Sequence, residues 1–515
     1  MSWKDDIDEL RRRERLAEAM GGEERVARQR AQGKLTVRER VAFLADPGSF
    51  HEIGKIAGVA SYNEDGELES FQPANMVMGR ATIDGRPAVL LGDDFSVRGG
   101  AADASIWQKM AMAEQMAHDY GMPMVRLVDG TGGGGSVKML EKDPRTYIPQ
   151  TPAWEWIVDN MGRSPVVSLA LGPCAGMGAG RVAASHYSVM VKEMSQVFVA
   201  GPPVARAIGE DVTKEELGGW RIQAMNGTVD DAVDTEADAF DRVRRFLSYL
   251  PSSVDELPGR TPPTDDPDRR EDALIDIVPK DGKTPYKPRK IVEACVDKGS
   301  FFEIGALWGR SIVAGLARID GYPVAVLAGD PFFLDGAWTA DTCDKVVRLV
   351  DLAETFHLPI VHFVDCPGFA VGVRHEQAGV TRRGVRAMAA VYQTSVPMCA
   401  VVIRKAYGLA GSAMFNPMRT KWRYCWPSGD WGSLPMAGGI EAAFKRQLES
   451  ADDPEAMLEA LYKKFDAVRS PFRTAEAFYA EEIIDPRETR PLLVDFMSHA
   501  YRILKPGRRT HAMRP

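Results

Sequence analysis

Short, almost uninterrupted apolar runs recur along this chain, each followed by a longer amphipathic stretch. Ala88-Val89-Leu90-Leu91-Gly92-Asp93 is one such run, and Val324-Ala325-Val326-Leu327-Ala328-Gly329-Asp330 is another. Runs of this length, rich in β-branched residues, predict strands buried on both faces. Helical patterns follow them, from Ile106 to Tyr120 and from Thr342 to Phe356. A proline then opens a further strand that ends in aspartate, Val125 to Asp129 and Val361 to Asp365. After a glycine-containing loop and another helix come two more Pro-led strands, Val166 to Leu171 and Met398 to Ile403. Strand–helix–strand alternation of this kind predicts an α/β fold with mostly buried strands.

The same grammar occurs twice, and so do the residues. Gly48-Ser49-Phe50-His51-Glu52-Ile53-Gly54 returns as Gly299-Ser300-Phe301-Phe302-Glu303-Ile304-Gly305. Ile83-Asp84-Gly85-Arg86-Pro87 returns as Ile319-Asp320-Gly321-Tyr322-Pro323. The period is far beyond the roughly 20–50 residues of a solenoid unit. A duplicated domain explains it. The offset is 251 residues from Gly48 to Gly299, 236 from Ile83 to Ile319 and 232 from Pro165 to Pro397. Length changes therefore fall between elements, in loops. The stretch Ser252 to Arg289 is rich in proline and charge and reads as an extended linker. Two domains are expected, 1–257 and 258–515. Residues 1 to about 45 read as helical.

Composition narrows the class. The 515 residues carry a formal net charge of −8, which gives no support for nucleic-acid binding. No apolar run is long enough for a membrane span. The start, MSWKDDIDELRRRERLAEAM, has neither the apolar core of a secretory signal nor the acid-poor composition of a transit peptide. The six cysteines are scattered without metal-ligand spacing, which fits a reducing cytoplasm and leaves no metal expected on this chain.

The chemistry-bearing segments are two matched turns. Half one reads Leu171-Gly172-Pro173-Cys174-Ala175-Gly176-Met177-Gly178, and half two reads Ile403-Arg404-Lys405-Ala406-Tyr407-Gly408-Leu409-Ala410. A strand, a small-residue turn and a following helix present free backbone N–H groups at the positive end of the helix. Such donors hold an anion, including one that develops during reaction. The alternative for either turn alone is a tightly packed connection with no ligand. Two copies at matched places favour a site. The loops after Asp129 (Gly130-Thr131-Gly132-Gly133) and after Asp365 (Cys366-Pro367-Gly368-Phe369) are further candidates for backbone donors. No nucleotide fingerprint, nucleophile elbow or histidine cluster accompanies them. Cys174 lies in the turn, but its apolar surroundings argue against a nucleophile.

On these turns, on Gly33-Lys34-Leu35-Thr36-Val37-Arg38-Glu39-Arg40, on Gly172-Pro173-Cys174-Ala175-Gly176 and on Arg404-Lys405-Ala406-Tyr407-Gly408, the chain resembles the carboxyltransferase β subunits of biotin-dependent acyl-CoA carboxylases, of the propionyl-CoA carboxylase type. The resemblance implies two tandem crotonase (ClpP-like) domains and a homo-hexamer built as a dimer of trimers. It implies that the N-terminal half takes the acyl-CoA and that the C-terminal half takes biotin carried by a separate biotin carboxylase and carrier subunit. It implies catalytic amides at Gly176 and Met177 for a thioester enolate and at Leu409 and Ala410 for biotin. Gly130, Gly132, Gly133, Ala175, Gly178 and Ser412 would line the substrate site, and Gly368, Phe369, Tyr407 and Gly408 the biotin site. The chain departs from the family where Met177 and Leu409 replace glycines, where Gly130 to Val137 replaces the usual loop, and where Ser412 replaces an aspartate. At Met177 and Leu409 the departures are expected to bring bulk into the site, and together they leave the acyl group open. The same transfer run in reverse, in a decarboxylase or transcarboxylase, is the alternative reading. A biotin-independent hydratase or isomerase is a more distant one.

Overall fold

The computed structural model describes residues 2–515 except 101–105, 131–139, 142, 143, 147, 149, 152 and 467. The chain divides into two compact units, Met1–Glu256 with Ala512–Pro515, and Leu257–His511.

The first unit begins with three helices, Lys4–Glu18, Glu23–Ala31 and Val37–Leu44. The third is started by Thr36, whose side chain accepts from the Glu39 amide while Glu39 reaches back to the Thr36 amide. The strands that follow are β1 (His51–Ile53), a separate hairpin of β2 (Gly58–Tyr62) and β3 (Leu68–Pro73), then β4 (Met76–Ile83), β5 (Arg86–Asp93), β6 (Met124–Val128), β7 (Val166–Ala170), β8 (Pro173–Ala175), β9 (Tyr187–Val191), β10 (Gln196–Phe198) and β11 (Asp231–Val233). Seven of them form one sheet in the order β1-β4-β5-β6-β7-β9-β11, and β8 pairs with β10 beside it. The β1–β4 and β4–β5 pairs are antiparallel and the rest parallel. β6, β7 and β9 are buried at every position, as expected where helices cover both faces.

The second unit repeats this. Its strands are β12 (Phe302–Glu303), β13 (Ile312–Ile319), β14 (Tyr322–Gly329), β15 (Ile360–Cys366), β16 (Met398–Tyr407), β17 (Trp422–Cys425), β18 (Asp430–Gly432) and β19 (Glu482–Ile483). The sheet order is β12-β13-β14-β15-β16-β17-β19, again with two antiparallel pairs followed by parallel ones. Register is kept as well. Val89 faces Met124 and Ala325 faces Ile360; Met124 faces Val166 and Ile360 faces Met398. These partners stand at the 236- and 232-residue offsets read from the sequence.

Side chains at matched places repeat too. Asp46 accepts from the Asp84 and Gly85 amides, as Asp297 does from Asp320 and Gly321. Arg38 pairs with Glu52, and Arg289 with Glu303. Lys109 Nζ donates to the carbonyl of Gly54, and Lys345 Nζ to that of Gly305. One difference shapes the site. The first unit breaks its strand between Ala170 and Pro173, whereas β16 runs unbroken through Arg404 to Tyr407. The strand expected to end at Ile403 is therefore longer, because Arg404 and Lys405 replace the Gly172-Pro173 pair that interrupts its counterpart.

Candidate functional site: two matched turns

In the first unit β8 ends at Ala175, and the chain turns at Gly176 into the helix Met177–Ala183. Gly176 has φ 53° and ψ −115°, a conformation that only glycine adopts without strain. Its own N–H is already used, donating to the carbonyl of Val199 at 3.2 Å. Among the described residues no acceptor meets the next two amides, Met177 and Gly178. The open donors thus begin one residue later than the Gly176–Met177 pair expected from sequence.

The surroundings are close-packed. Gly130 O accepts from the Ala175 amide at 3.4 Å, and a Cβ on Gly178 would come within 2.8 Å of that same oxygen. Gly130, Ala175, Gly176 and Gly178 are therefore neighbours. Gly132 and Gly133 lie outside the described residues. The expectation that Met177 fills the site with bulk is not met. Its side chain packs on a methionine-rich core that includes Met76, Met78, Met110 and Met124. Cys174 is fully buried, its Sγ directed at the carbonyls of Val128 and Gly172, and burial pushes its thiol well up. It is no nucleophile.

In the second unit β16 ends at Tyr407, Gly408 has φ 61°, and a short helix runs over Gly408–Gly411. The match extends to the supporting strand. Pro173 to Ala175 on β8 pair with Gln196 to Phe198, and Lys405 to Tyr407 pair with Asp430 to Gly432. Ser433 O, the counterpart of Val199 O, lies 3.3 Å from where a Gly408 Cβ would stand. No acceptor among the described residues meets the Leu409 or Ala410 amide. Ala410 is buried, while Leu409 is 54% exposed. Ser412 Oγ donates to the carbonyl of Leu409 at 2.7 Å. Tyr407 is buried with its phenol against Asp430, and its pKa is raised by burial and by that partner. Cys366 pairs with Ala406, so Gly368 and Phe369 leave β15 beside the end of β16. The Gly368 carbonyl accepts from the Trp338 amide, and the Phe369 ring packs against Gly384.

Behind each turn stands a buried aspartate at the end of the neighbouring strand, and here the copies differ. Asp129 is met by Lys34 Nζ at 2.7 Å and Arg40 Nη1 at 2.9 Å, and Arg40 Nε continues to Glu236 at 2.6 Å. All four are almost fully buried. A Cβ on Gly172 would stand 2.0 Å from Asp129 Oδ1, so the glycine leaves room for the Lys34 ammonium. In the second unit the residue at that place is Arg404, whose own guanidinium lies 3.1 Å from Asp365. Tyr286 Oη and the Lys405 amide complete the carboxylate's contacts. Burial raises the Asp365 pKa, opposed first by Arg404. Sequence reasoning did not single out Lys34, Arg40, Glu236 or Val199. The only sign of the first two was their place in the Gly33–Arg40 motif, and Val199 carries no sign, because a carbonyl is not written in a side chain.

Two short amide-lined turns at the same topological place, backed by buried carboxylates, can each hold a small oxyanion. Among the described residues no group of His, Cys, Asp or Glu is arranged to hold a metal, and no helix is long and apolar enough to cross a membrane. The sequence model of the carboxyl transferase domain matches residues 28–507. This chain belongs to the carboxyl transferase family. It is 32% identical over 500 residues to the carboxyltransferase subunit of propionyl-CoA carboxylase from Haloferax mediterranei, covering 96% of both chains. It is 31% identical to the methylmalonyl-CoA decarboxylase α subunit of Veillonella parvula, over 94% of each. Among solved structures, transcarboxylase 12S superposes on this carboxyl transferase with a TM-score of 0.88 at 29% identity, over 100% of this chain and 99% of that one. That structure is a hexamer with methylmalonyl-coenzyme A bound.

Proposed function

We propose that this carboxyl transferase is the carboxyltransferase subunit of a biotin-dependent acyl-CoA carboxylase, working as a homo-hexamer with a separate biotin-bearing subunit. Each unit is read as a crotonase-type domain, with residues 1–257 taking the acyl-CoA and 258–515 the biotin. Biotin, delivered by its carrier, supplies the activated carboxyl group. This chain's part is to hold charge. The open amides at Met177 and Gly178 face the position where a thioester oxygen becomes negative as the α-carbon loses its proton. The amides of Leu409 and Ala410 do the same for the ureido oxygen of biotin. Gly130, Ala175 and Gly368 shape the approaches. Oriented backbone dipoles of this kind cost no reorganisation as charge develops.

The observation that carries the reading is the pairing itself: two turns with unmet amides at the same place in two copies of one fold. A hydratase would need only one of them, together with a side-chain acid or base. The same geometry serves the reverse transfer, and the likeness to a decarboxylase subunit and to transcarboxylase 12S keeps that reading open.

The test mixes the purified chain with its biotinylated partner, ATP, bicarbonate and acyl-CoAs of rising chain length. Carboxylated acyl-CoA is the expected product, with a preference for one chain-length class. No product with any acyl-CoA, together with decarboxylation of methylmalonyl-CoA by the same mixture, would transfer the assignment to the reverse reaction.

A further inference from the structure

Behind the second turn lies a hollow where the first unit is solid. Counting along the repeat puts Ala406 at the place of Cys174 and Gly411 at the place of Ala179. Strand pairing sets Cys425 opposite Val402, as Met190 stands opposite Ala170. In the first unit Cys174 and Met190 are fully buried in one apolar cluster, and Ala179 and Trp220 pack against it. The second unit has the smaller residue at each of those three places, although Trp431 replaces Val197 and Met414 replaces Val182. The segment after β18 covers the place with Thr474 and Ala480, as the segment after β10 covers the first with Trp220. What remains is a cavity of 210 Å³.

The cavity is a pit with a floor and a rim. Ala400, Val402, Met414, Cys425 and Ala480 are buried and form the floor. Gly411, Phe415 and Trp431 are half-buried and Tyr479 is exposed, so these form the rim. The polar side chains of Arg423 and Thr474 on its wall are already paired. Arg423 is spent on Glu481 and on the carbonyl of Tyr479, and Thr474 Oγ1 accepts from Trp431 Nε1. A bound water needs two to four polar partners, whereas an apolar cavity stays dry and takes up hydrocarbon. A cavity of about 150 Å³ takes benzene, so one of 210 Å³ has room for roughly eight carbons.

We propose that this pit binds a neutral hydrocarbon group, either the alkyl end of an acyl chain or a free molecule of the same kind. Ala406 precedes Tyr407 on β16, and Gly411 ends the short helix that carries the Leu409 and Ala410 amides. An occupant therefore packs against the back of the second turn and steadies those amides. The first source rests on the proposed function, because it requires the acyl-CoA of that reaction; the pit itself does not. With that source the substrate class becomes a medium-chain acyl-CoA, whose tail is long enough to reach the floor.

The test is a fluorine NMR titration of fluorobenzene into the full assembled protein. Saturable binding of one fluorobenzene per chain is expected. Cys425→Met, which supplies the residue that the first unit has at this place, and Ala480→Phe, which fills the floor, should each weaken it at least tenfold. Circular dichroism and assembly size show which variants fold, and either one alone suffices. Competition separates the sources. Displacement of fluorobenzene by octanoyl-CoA assigns the pit to the acyl chain, and displacement by octanol alone assigns it to a free molecule. Neither result needs turnover, so a failure of the carboxylase reading leaves it standing. Absence of saturable binding, binding that neither competitor displaces, or binding unaltered in the folded variants overturns the proposal.

Discussion

The Gly176 amide donates to the carbonyl of Val199, so the first donor of the turn is spent inside the protein. On the proposed reading the donors to the substrate are then Met177 and Gly178. Met177 is the first residue of its helix, a position where proline fits and where the lost N–H was not part of the helix ladder. Met177→Pro should cut kcat by about 10²–10³ while leaving secondary structure and assembly size intact. Met177→Ala keeps the amide and should cost far less in rate, its effect falling on stability through the methionine core. Equal rate losses in the two variants would remove the Met177 amide from the site.

Gly178 has no space for a side chain. Its Cβ would meet the backbone oxygen of Gly130, which cannot step aside as a flexible side chain would. Gly178→Ala should destabilise the first unit by about 1–3 kcal/mol and raise the KM for acyl-CoA, because the loop leaving β6 is displaced. Urea unfolding and steady-state kinetics measure the two effects.

The buried charges predict an asymmetry between neighbours. Arg40→Leu leaves Glu236 without its guanidinium and Asp129 with only Lys34, and should cost about 3–5 kcal/mol. Lys34→Met leaves Asp129 with Arg40 and should cost clearly less. A smaller loss for Arg40→Leu than for Lys34→Met in urea unfolding would contradict the network described.

His362 sets an acid limit. It is fully buried on β15, its Nδ1 beside the carbonyl of Met414, and burial pushes its pKa from 6.5 down to about 4. Between those values the unfolded chain binds a proton that the folded chain refuses. Stability from this group is therefore complete above pH 6.5 and falls as pH drops toward 4, by about 3 kcal/mol in all. His362→Gln should flatten that part of the stability–pH curve. An unchanged slope would mean that other groups govern acid unfolding.

The succession of strands and helices, the repeat offsets and the two turns were legible because repeats and apolar runs are written in consecutive residues, whereas the order of the strands in each sheet was not. The open amides begin one residue after the start of the expected pair because the partner of the Gly176 amide is a backbone oxygen 23 positions away, on Val199. The reach of Met177 was misjudged for a related reason. Whether a side chain enters a site or a core depends on the helix it starts, and the local sequence shows only that it is large. The Lys34–Asp129 contact joins residues 95 apart, and no periodicity points from one to the other.

Relocating the cation that faces the strand-end aspartate has closed a route of exchange between the two copies. In the first unit the positive charge comes from the leading segment, at Lys34 and Arg40; in the second it comes from the strand, at Arg404. A recombinant joining the second leading segment to the first strand would bury Asp129 with no cation. The opposite recombinant would crowd three cations around Asp365. Neither chimera inherits a balanced interior, so the leading segment and the strand of each half are interchangeable only as a pair.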